Sequence, residues 1–435
     1  MCCERCACGD DRQGGACSLI DLGRRSAGPE ARRHLWIVNH YAARPGEAGQ
    51  RHFSLAAAMR QHGWSTSILA CSVQHYTGDQ RMHGWRLQKT EEHDGVVFRW
   101  LRGPRYASNG VARILNMVGF AVLVLLPRST HRLARPDAVI GSTVHPLAAL
   151  AASRLARRHR VPFIFEIRDL WPETLIELGS LPRHGVVARL MRRLERHLCD
   201  RATTVITTMP FAADYLEEQG VDRGKVRWIS NGVWVDEFSS VVTEKGEDND
   251  EGLSFVYLGA LGHANAVDQL ITGFVAADLP SSATLSIIGA GPCRKDLIDL
   301  VDELDAGGRI AIHEAVARTE VPALAGDADC LVVALRDSPL YRFGMSLNKL
   351  FEYMASGRPI LCAGTARGNP LETSGGAIVT GADVEAIAVG LTRMVQLTPA
   401  ERSSMGRCNQ RFAREHFDFD HLGADLAQLL DAAVA

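Results

Sequence analysis

The sequence predicts an α/β protein built as two doubly wound parallel sheets. Three observations carry that expectation. Short apolar strands alternate with helical segments from residue 34 onward, an acidic stretch interrupts the alternation once, and the alternation then starts again. The chain has 435 residues, enough for two units with separate cores. The first unit opens with the apolar strand Leu35-Trp36-Ile37-Val38, the turn-rich loop 43–49, and a helix from Gln50 with Phe53, Leu55, Ala56 and Met59 on one side. Further strands are expected at 67–70, 138–141, 163–166, 204–207 and 226–229. Residues 239–252, SSVVTEKGEDNDEG, are polar and acidic and read as an exposed linker. Beyond it, strands are expected at 253–258, 283–289, 309–313, 330–335, 360–362 and 377–380. The organisation is then a leader (1–33), an N-terminal domain (34–238), the linker, a second domain (253–398), and closing helices (399–435) that pack back on the first domain. Facing sheets create a cleft, and ligands of open α/β sheets bind beyond the carboxyl ends of the strands.

Composition excludes some classes. The formal net charge is -2, so no global basic field argues for nucleic acid. Of the 11 cysteines, Cys2, Cys3, Cys6, Cys8 and Cys17 crowd the leader, and the rest are scattered singly, as in a reducing compartment. Thiolates so close invite zinc, but Cys6-x-Cys8 lacks the usual spacer and no histidine pair follows, so the segment reads as a disordered leader with no metal site. No apolar signal segment opens the chain. The longest apolar run, 117–126, is shorter than the roughly 20 residues that cross a bilayer. With Arg105, Arg113, Arg128, Arg132 and Arg135 around it, it reads as a buried or an interfacial helix. The arginine-rich helix 186–201 reads likewise as a solvated basic face or a face against anionic lipid. The expected location is cytoplasmic, with a peripheral contact on the inner face of the plasma membrane.

Four motifs carry chemistry. In SLNKLFEYMASGRPIL, residues 346–361, Leu347, Leu350, Phe351 and Met354 form an apolar stripe, with Ser346 as N-cap and Gly357 as stop. Lys349 in the first turn suits an anion, and Glu352 behind it suits sugar hydroxyls; the plain alternative is an i,i+3 ion pair between them. GAGPCR, 289–294, opens like a dinucleotide fingerprint but lacks its third glycine, leaving Gly289 and Gly291 as a phosphate-facing turn. Gly259-Ala260-Leu261-Gly262 with His263 is a second such turn or a plain loop. FEIRDLWPE, 165–173, clusters Glu166, Arg168, Asp169 and Glu173 past a buried strand. It is either a strand-end ion pair or a group placing Asp169 or Glu166 near a sugar and Arg168 near a phosphate or carboxylate.

Taken in order, the PGEAG loop, ISNGVWVDEF, YLGALG, IIGAGP and SLNKLFEYMASGRPI resemble the retaining glycosyltransferases of family 4. EIRDLWPE resembles the subgroup that assembles O-antigen, capsule and exopolysaccharide units. The resemblance implies the GT-B fold, two facing Rossmann-like domains with a cleft between them. It implies a nucleotide-diphosphate sugar in the C-terminal domain, a glycan or lipid-linked acceptor on the N-terminal one, retention of anomeric configuration, and no metal or other cofactor. On that pattern Glu352 binds the donor ribose, with Ser346, Asn348 and Lys349 beside it. Gly259 and Gly262 match the diphosphate loop, and Gly46 and Gly49 the N-terminal glycine-rich loop. Three departures stand out. Gly344 occupies the place of a glutamate, Ala260 and Asn265 stand near those of an arginine and a lysine, and Arg168, beside Asp169, takes that of a histidine. Lys349, Arg342 and His263 are expected to supply the missing positive charge. A nucleotide-sugar epimerase of the same shape and a catalytically silent scaffold are the competing readings.

Overall fold

The computed structural model describes residues 32–74, 78–106, 110–143, 145–239 and 252–435. The cysteine-rich leader through residue 31 and most of the acidic linker lie outside the described residues.

The N-terminal sheet has eight strands: β1 (Arg33–Val38), β2 (Trp64–Cys71), β3 (Gln88–His93), β4 (Val96–Leu101), β5 (Ala138–Ser142), β6 (Phe163–Ile167), β7 (Thr204–Thr207) and β8 (Val226–Trp228). Their order is β3-β4-β2-β1-β5-β6-β7-β8, parallel except for β3. The strands read as continuous apolar runs because helices cover both faces. Two core clusters, one around Trp36, Phe120 and Phe165 and one around Trp64, Phe98 and Ile140, fill those faces.

The hairpin of β3 and β4 is absent from the strand reading above. β3 has the sequence QKTEEH, with no apolar residue, so no hydrophobic period marks it. Its signal is the turn Asp94-Gly95, both residues at positive φ (47° and 73°), which is hairpin-turn chemistry. Its charged side chains suit an exposed sheet edge.

The second sheet holds β9 (Ser254–Leu258), β10 (Thr284–Ile288), β11 (Ile310–His313), β12 (Cys330–Ala334), β13 (Ile360–Ala363) and β14 (Ala377–Thr380), in the order β11-β10-β9-β12-β13-β14, all parallel. Each sheet therefore reverses its winding once, at β1/β5 and at β9/β12, and those switch points are where crevices open.

The chain crosses between the units twice, and the crossings are bonded together. Val233 N donates to Phe417 O (2.9 Å), and Phe419 N to Val233 O (3.1 Å). The Phe419–Val434 helix then lies on the Arg51–Met59 helix, where Gly423 leaves room for Ala58; an added Cβ would come within 2.5 Å of it.

Candidate active site between the two sheets

On the C-terminal side, the turns after β9 and β10 are packed backbone against backbone. Leu261 N donates to Ala290 O (2.9 Å) and Cys293 N to Leu261 O (3.0 Å). A Cβ on Gly289 would lie 1.8 Å from Gly259 O, and one on Gly291 2.2 Å from Leu261 O. These glycines are needed for loop-on-loop packing, whether or not a phosphate is present. Gly262 differs: its backbone is extended and its nearest neighbour would be an ordinary 3.8 Å away.

Lys349 lies against the first of these turns. Its Nζ donates to the Tyr257 hydroxyl (2.8 Å) and to Asn265 Oδ1 (3.1 Å), and sits 4.1 Å from the centre of the Tyr257 ring. A Cβ on Gly259 would approach its Cδ to 3.2 Å. Among the described residues it has no carboxylate partner, and burial pulls its amine down to about 7. The alternative i,i+3 pair with Glu352 does not form. Glu352 instead accepts from Arg318 Nε at 3.0 Å, and Arg318 also reaches Glu237 at 3.5 Å. Burial raises the Glu352 carboxyl, and Glu237 adds to this while Arg318 opposes it.

The helix bearing both residues runs Asn348–Ala355, with Leu347 at the N-cap position. Ser346 is therefore not the cap. Its carbonyl and hydroxyl oxygens instead accept from Asn231 Nδ2 (3.0 and 2.9 Å), tying the donor-side helix to the N-terminal domain. Asn348, at the first position of the helix, is exposed. Of the cations expected to supply the missing charge, only Lys349 meets the turns with a free ammonium. His263 is exposed on the β9 turn, its Nδ1 3.5 Å from Cys293 Sγ. Arg342 turns away to Glu218 of the other domain (3.2 Å) and stacks on Phe343.

Gly344, standing where a glutamate was expected, has a steric cause. Its φ is +94°, and a Cβ would lie 2.5 Å from Pro210 Cδ, beside the bond from Phe211 N to Phe343 O (3.1 Å) that joins the domains. Gly344→Glu is therefore expected to lower thermal stability, by about 1–3 kcal/mol, and to lower turnover as well. A variant that gains activity at unchanged melting temperature would contradict this reading.

On the N-terminal side, Glu166 does not reach the cleft. It is 1% exposed, and its oxygens accept from Arg51 Nε (3.2 Å) and His52 Nε2 (2.5 Å). Arg51 also donates to the carbonyls of Ile229 (2.8 Å) and Ser230, so Glu166 positions the helix that follows the glycine-rich loop. Burial would raise its carboxyl, but His52 and Arg51 hold it well below the usual range. Arg168 is held by its backbone: its N–H donates to Thr143 Oγ1 (3.1 Å), and its carbonyl accepts from Thr208 Oγ1 (3.2 Å). Its Nε is buried and has no hydrogen-bond partner. Asp169 beside it is exposed, and its crowded surroundings raise its carboxyl while Arg168 opposes.

The glycine-rich loop turns at Gly46 and Gly49 (φ 77° and 86°). It is anchored by Gly46 N to Gln50 Oε1 (2.8 Å) and by the Glu47–Arg81 pair (2.5 Å). A Cβ on Gly46 would meet Thr319 at 4.0 Å, next to the Arg318 that holds Glu352, so this loop faces the donor-side domain.

His40, Asn116, His145, Tyr257 and Arg318, all missing from the sequence reading, belong to the site. At the β1/β5 switch point, His145 Nε2 lies 2.5 Å from His40 Nδ1, whose other nitrogen lies 2.6 Å from Asn116 Oδ1. Burial, with Arg113 adding, pulls His145 down to about 3, so it is neutral at physiological pH, and its Nδ1 is buried without a partner. The readable signal was a polar strand end, Ser-Thr-Val-His, directly before a helix opening on Pro146. Tyr257 carried no signal beyond its place in a strand. The outer groove between the Val267–Ala276 and Arg294–Glu303 helices is lined by Asp268, Asp296, Asp299 and Glu303, a charge that repels phosphate.

Known proteins agree with this architecture. A family model described as "Glycosyl transferase 4-like domain" matches residues 46–232, and one described as "Glycosyl transferases group 1" matches residues 252–396. Among solved structures, a sucrose-phosphate synthase from Thermosynechococcus elongatus superposes with TM-score 0.70 at 15% identity, covering 92% of this chain and 99% of that one. HepE of Anabaena, solved with UDP and glucose, gives TM-score 0.65 at 14% identity over 92% and 100% of the two chains. WaaG, described as a glycosyltransferase involved in lipopolysaccharide biosynthesis, gives 0.63 at 14% identity over 91% and 99%. At these identities the likeness speaks for the fold. No curated protein sequence matches the chain.

Proposed function

Because this chain is a glycosyltransferase of the GT-B fold, with a glycosyl transferase 4-like domain followed by a group 1 domain, we propose that it moves a sugar from a nucleotide-diphosphate donor to a glycan or lipid-linked acceptor, with retention of anomeric configuration, in cell-surface polysaccharide biosynthesis at the cytoplasmic side of the membrane. One observation carries the donor assignment: the ammonium of Lys349, without a carboxylate partner, lies against the glycine turn after β9, at the β9/β12 switch point.

The departing nucleoside diphosphate accumulates negative charge. Lys349 and the N-terminal amides of the Asn348–Ala355 helix are placed to take it up, so the reaction is proposed to need no metal ion. Glu352, held by Arg318 through one carboxyl oxygen, offers its second oxygen to the ribose hydroxyls. From the other side, the buried Arg168 Nε and His145 Nδ1, both without a hydrogen-bond partner, are proposed to engage a sugar or acceptor hydroxyl. Asp169, exposed at the same strand end, is proposed to act beside the reacting sugar. The HepE complex with UDP and glucose and the involvement of WaaG in lipopolysaccharide biosynthesis support the donor class and the biosynthetic setting.

The test needs no acceptor. Slow hydrolysis of an α-linked nucleotide sugar, followed by proton NMR before mutarotation, is expected to show the α-anomer first, at a rate unaffected by EDTA. A first-formed β-anomer would refute retention, and loss of the rate in EDTA would refute the metal-free step.

A further inference from the structure

We propose that the outer face of the Val111–Leu125 helix, with the arginine-rich surface around it, seats this protein on an anionic lipid bilayer. The helix buries Asn116, Phe120 and Val124. On its other side Val111, Ile114, Leu115, Val118 and Val122 are 42–73% exposed and recur at helical spacing, so they form one continuous apolar stripe. Single exposed aliphatic residues are ordinary; a stripe along a whole helix is not.

Charge selects the occupant. Between Gly95 and Phe165 the chain carries eleven arginines and no lysine, against one acid, Asp137, although the whole chain is formally -2. Arg105, which precedes the helix in the chain, and Arg128, Arg132 and Arg135, which follow it, are exposed. The neighbouring Pro146–His159 helix, packed on the first, exposes Arg154, Arg157 and Arg158. None of these seven forms an ion pair among the described residues. An apolar stripe bordered by unpaired arginines fits the boundary between acyl chains and anionic headgroups. Among the described residues no helix is long and apolar enough to cross a membrane, so this one lies in the surface plane.

The inner side of the same helix joins the cleft. Asn116 meets His40, and Arg113 Nε donates to the Tyr41 hydroxyl (3.0 Å), both residues being at the carboxyl end of β1. A protein seated through this helix therefore opens the acceptor side of its cleft toward the bilayer, where a lipid-linked acceptor resides. Only that last step rests on the transferase reading; membrane binding does not.

The experiment is co-sedimentation of the full chain with vesicles of phosphatidylcholine alone or mixed with 30% phosphatidylglycerol. Binding to the anionic vesicles is expected at least ten-fold tighter than to the neutral ones, and weaker in 0.5 M salt. Ile114→Asp with Leu115→Asp is expected to weaken it ten-fold or more, while circular dichroism and donor hydrolysis without vesicles stay unchanged. Equal or absent binding to both vesicle types would overturn the proposal. So would a wild-type dimer that the double variant converts to monomer, which would make the stripe a contact between copies. Heparin binding that matches vesicle binding and survives the double substitution would assign the face to a polyanion instead. Because hydrolysis is read without lipid and sedimentation without donor, failure of either reading leaves the other intact.

Discussion

Replacing Lys349 with alanine is expected to lower kcat/KM for the nucleotide-sugar donor ten-fold or more. The figure follows from one charge-assisted contact to the diphosphate, about 1.5–3 kcal/mol. The chain has Ala260 and Asn265 where cations were expected, and Arg342 is paired with Glu218, so little else on these turns replaces that charge. A pH dependence accompanies it. Burial holds the empty-site amine at about 7, and a dianionic diphosphate binds the ammonium form. The donor KM should therefore rise as pH increases through about 7, and the alanine variant should lose this dependence. Lys349→Arg keeps its charge at every pH and should recover part of the activity with a flat profile. The sign for stability is the reverse: the unfolded chain holds this proton up to the ordinary lysine range, so folding is favoured as pH rises above about 7. An unchanged kcat/KM in the alanine variant would remove Lys349 from the site.

Glu166→Gln is expected to destabilise the N-terminal domain by about 3–5 kcal/mol. Glutamine keeps the shape but removes the charge that compensates Arg51, which is buried against the Ile229 and Ser230 carbonyls. The loss should appear as a lower urea midpoint in tryptophan fluorescence. In the wild type this contribution is fully present above the unfolded carboxylate range and is lost only as pH falls below it, since the folded group is held well under its ordinary value. A midpoint equal to that of wild type would mean the network contributes nothing net.

Glu166 also shows where sequence reasoning ran short. FEIRDLWPE was legible as a charged strand end, and β6 does end there. Which carboxylate faced the cleft was not legible, because the partners Arg51 and His52 lie more than a hundred positions away and no local pattern announces them. The parallel strands were readable because burial on both faces makes them unbroken apolar runs. β3 was not, because an edge strand exposed to water carries no such run. The same limit hid the cause of Gly344, which lies in Pro210 of the other domain. The helix bearing Lys349 and Glu352 was foreseen from its stripe and its stop, yet their partners come from elsewhere in the domain, Tyr257 from strand β9 and Arg318 from the short 3-10 turn Arg318–Glu320. Local chemistry was legible, and pairing across the fold was not.

The central claim is that the cleft holds a nucleotide sugar and cleaves its bond to the diphosphate. The most direct measurement incubates the purified full chain with a panel of nucleotide sugars and quantifies released nucleoside diphosphate. One donor is expected to be turned over with stoichiometric release, and Lys349→Ala should lower that rate ten-fold or more. Interconversion of two nucleotide sugars without release would make the protein an epimerase, and absence of binding to every donor would make it a scaffold; either result contradicts the account.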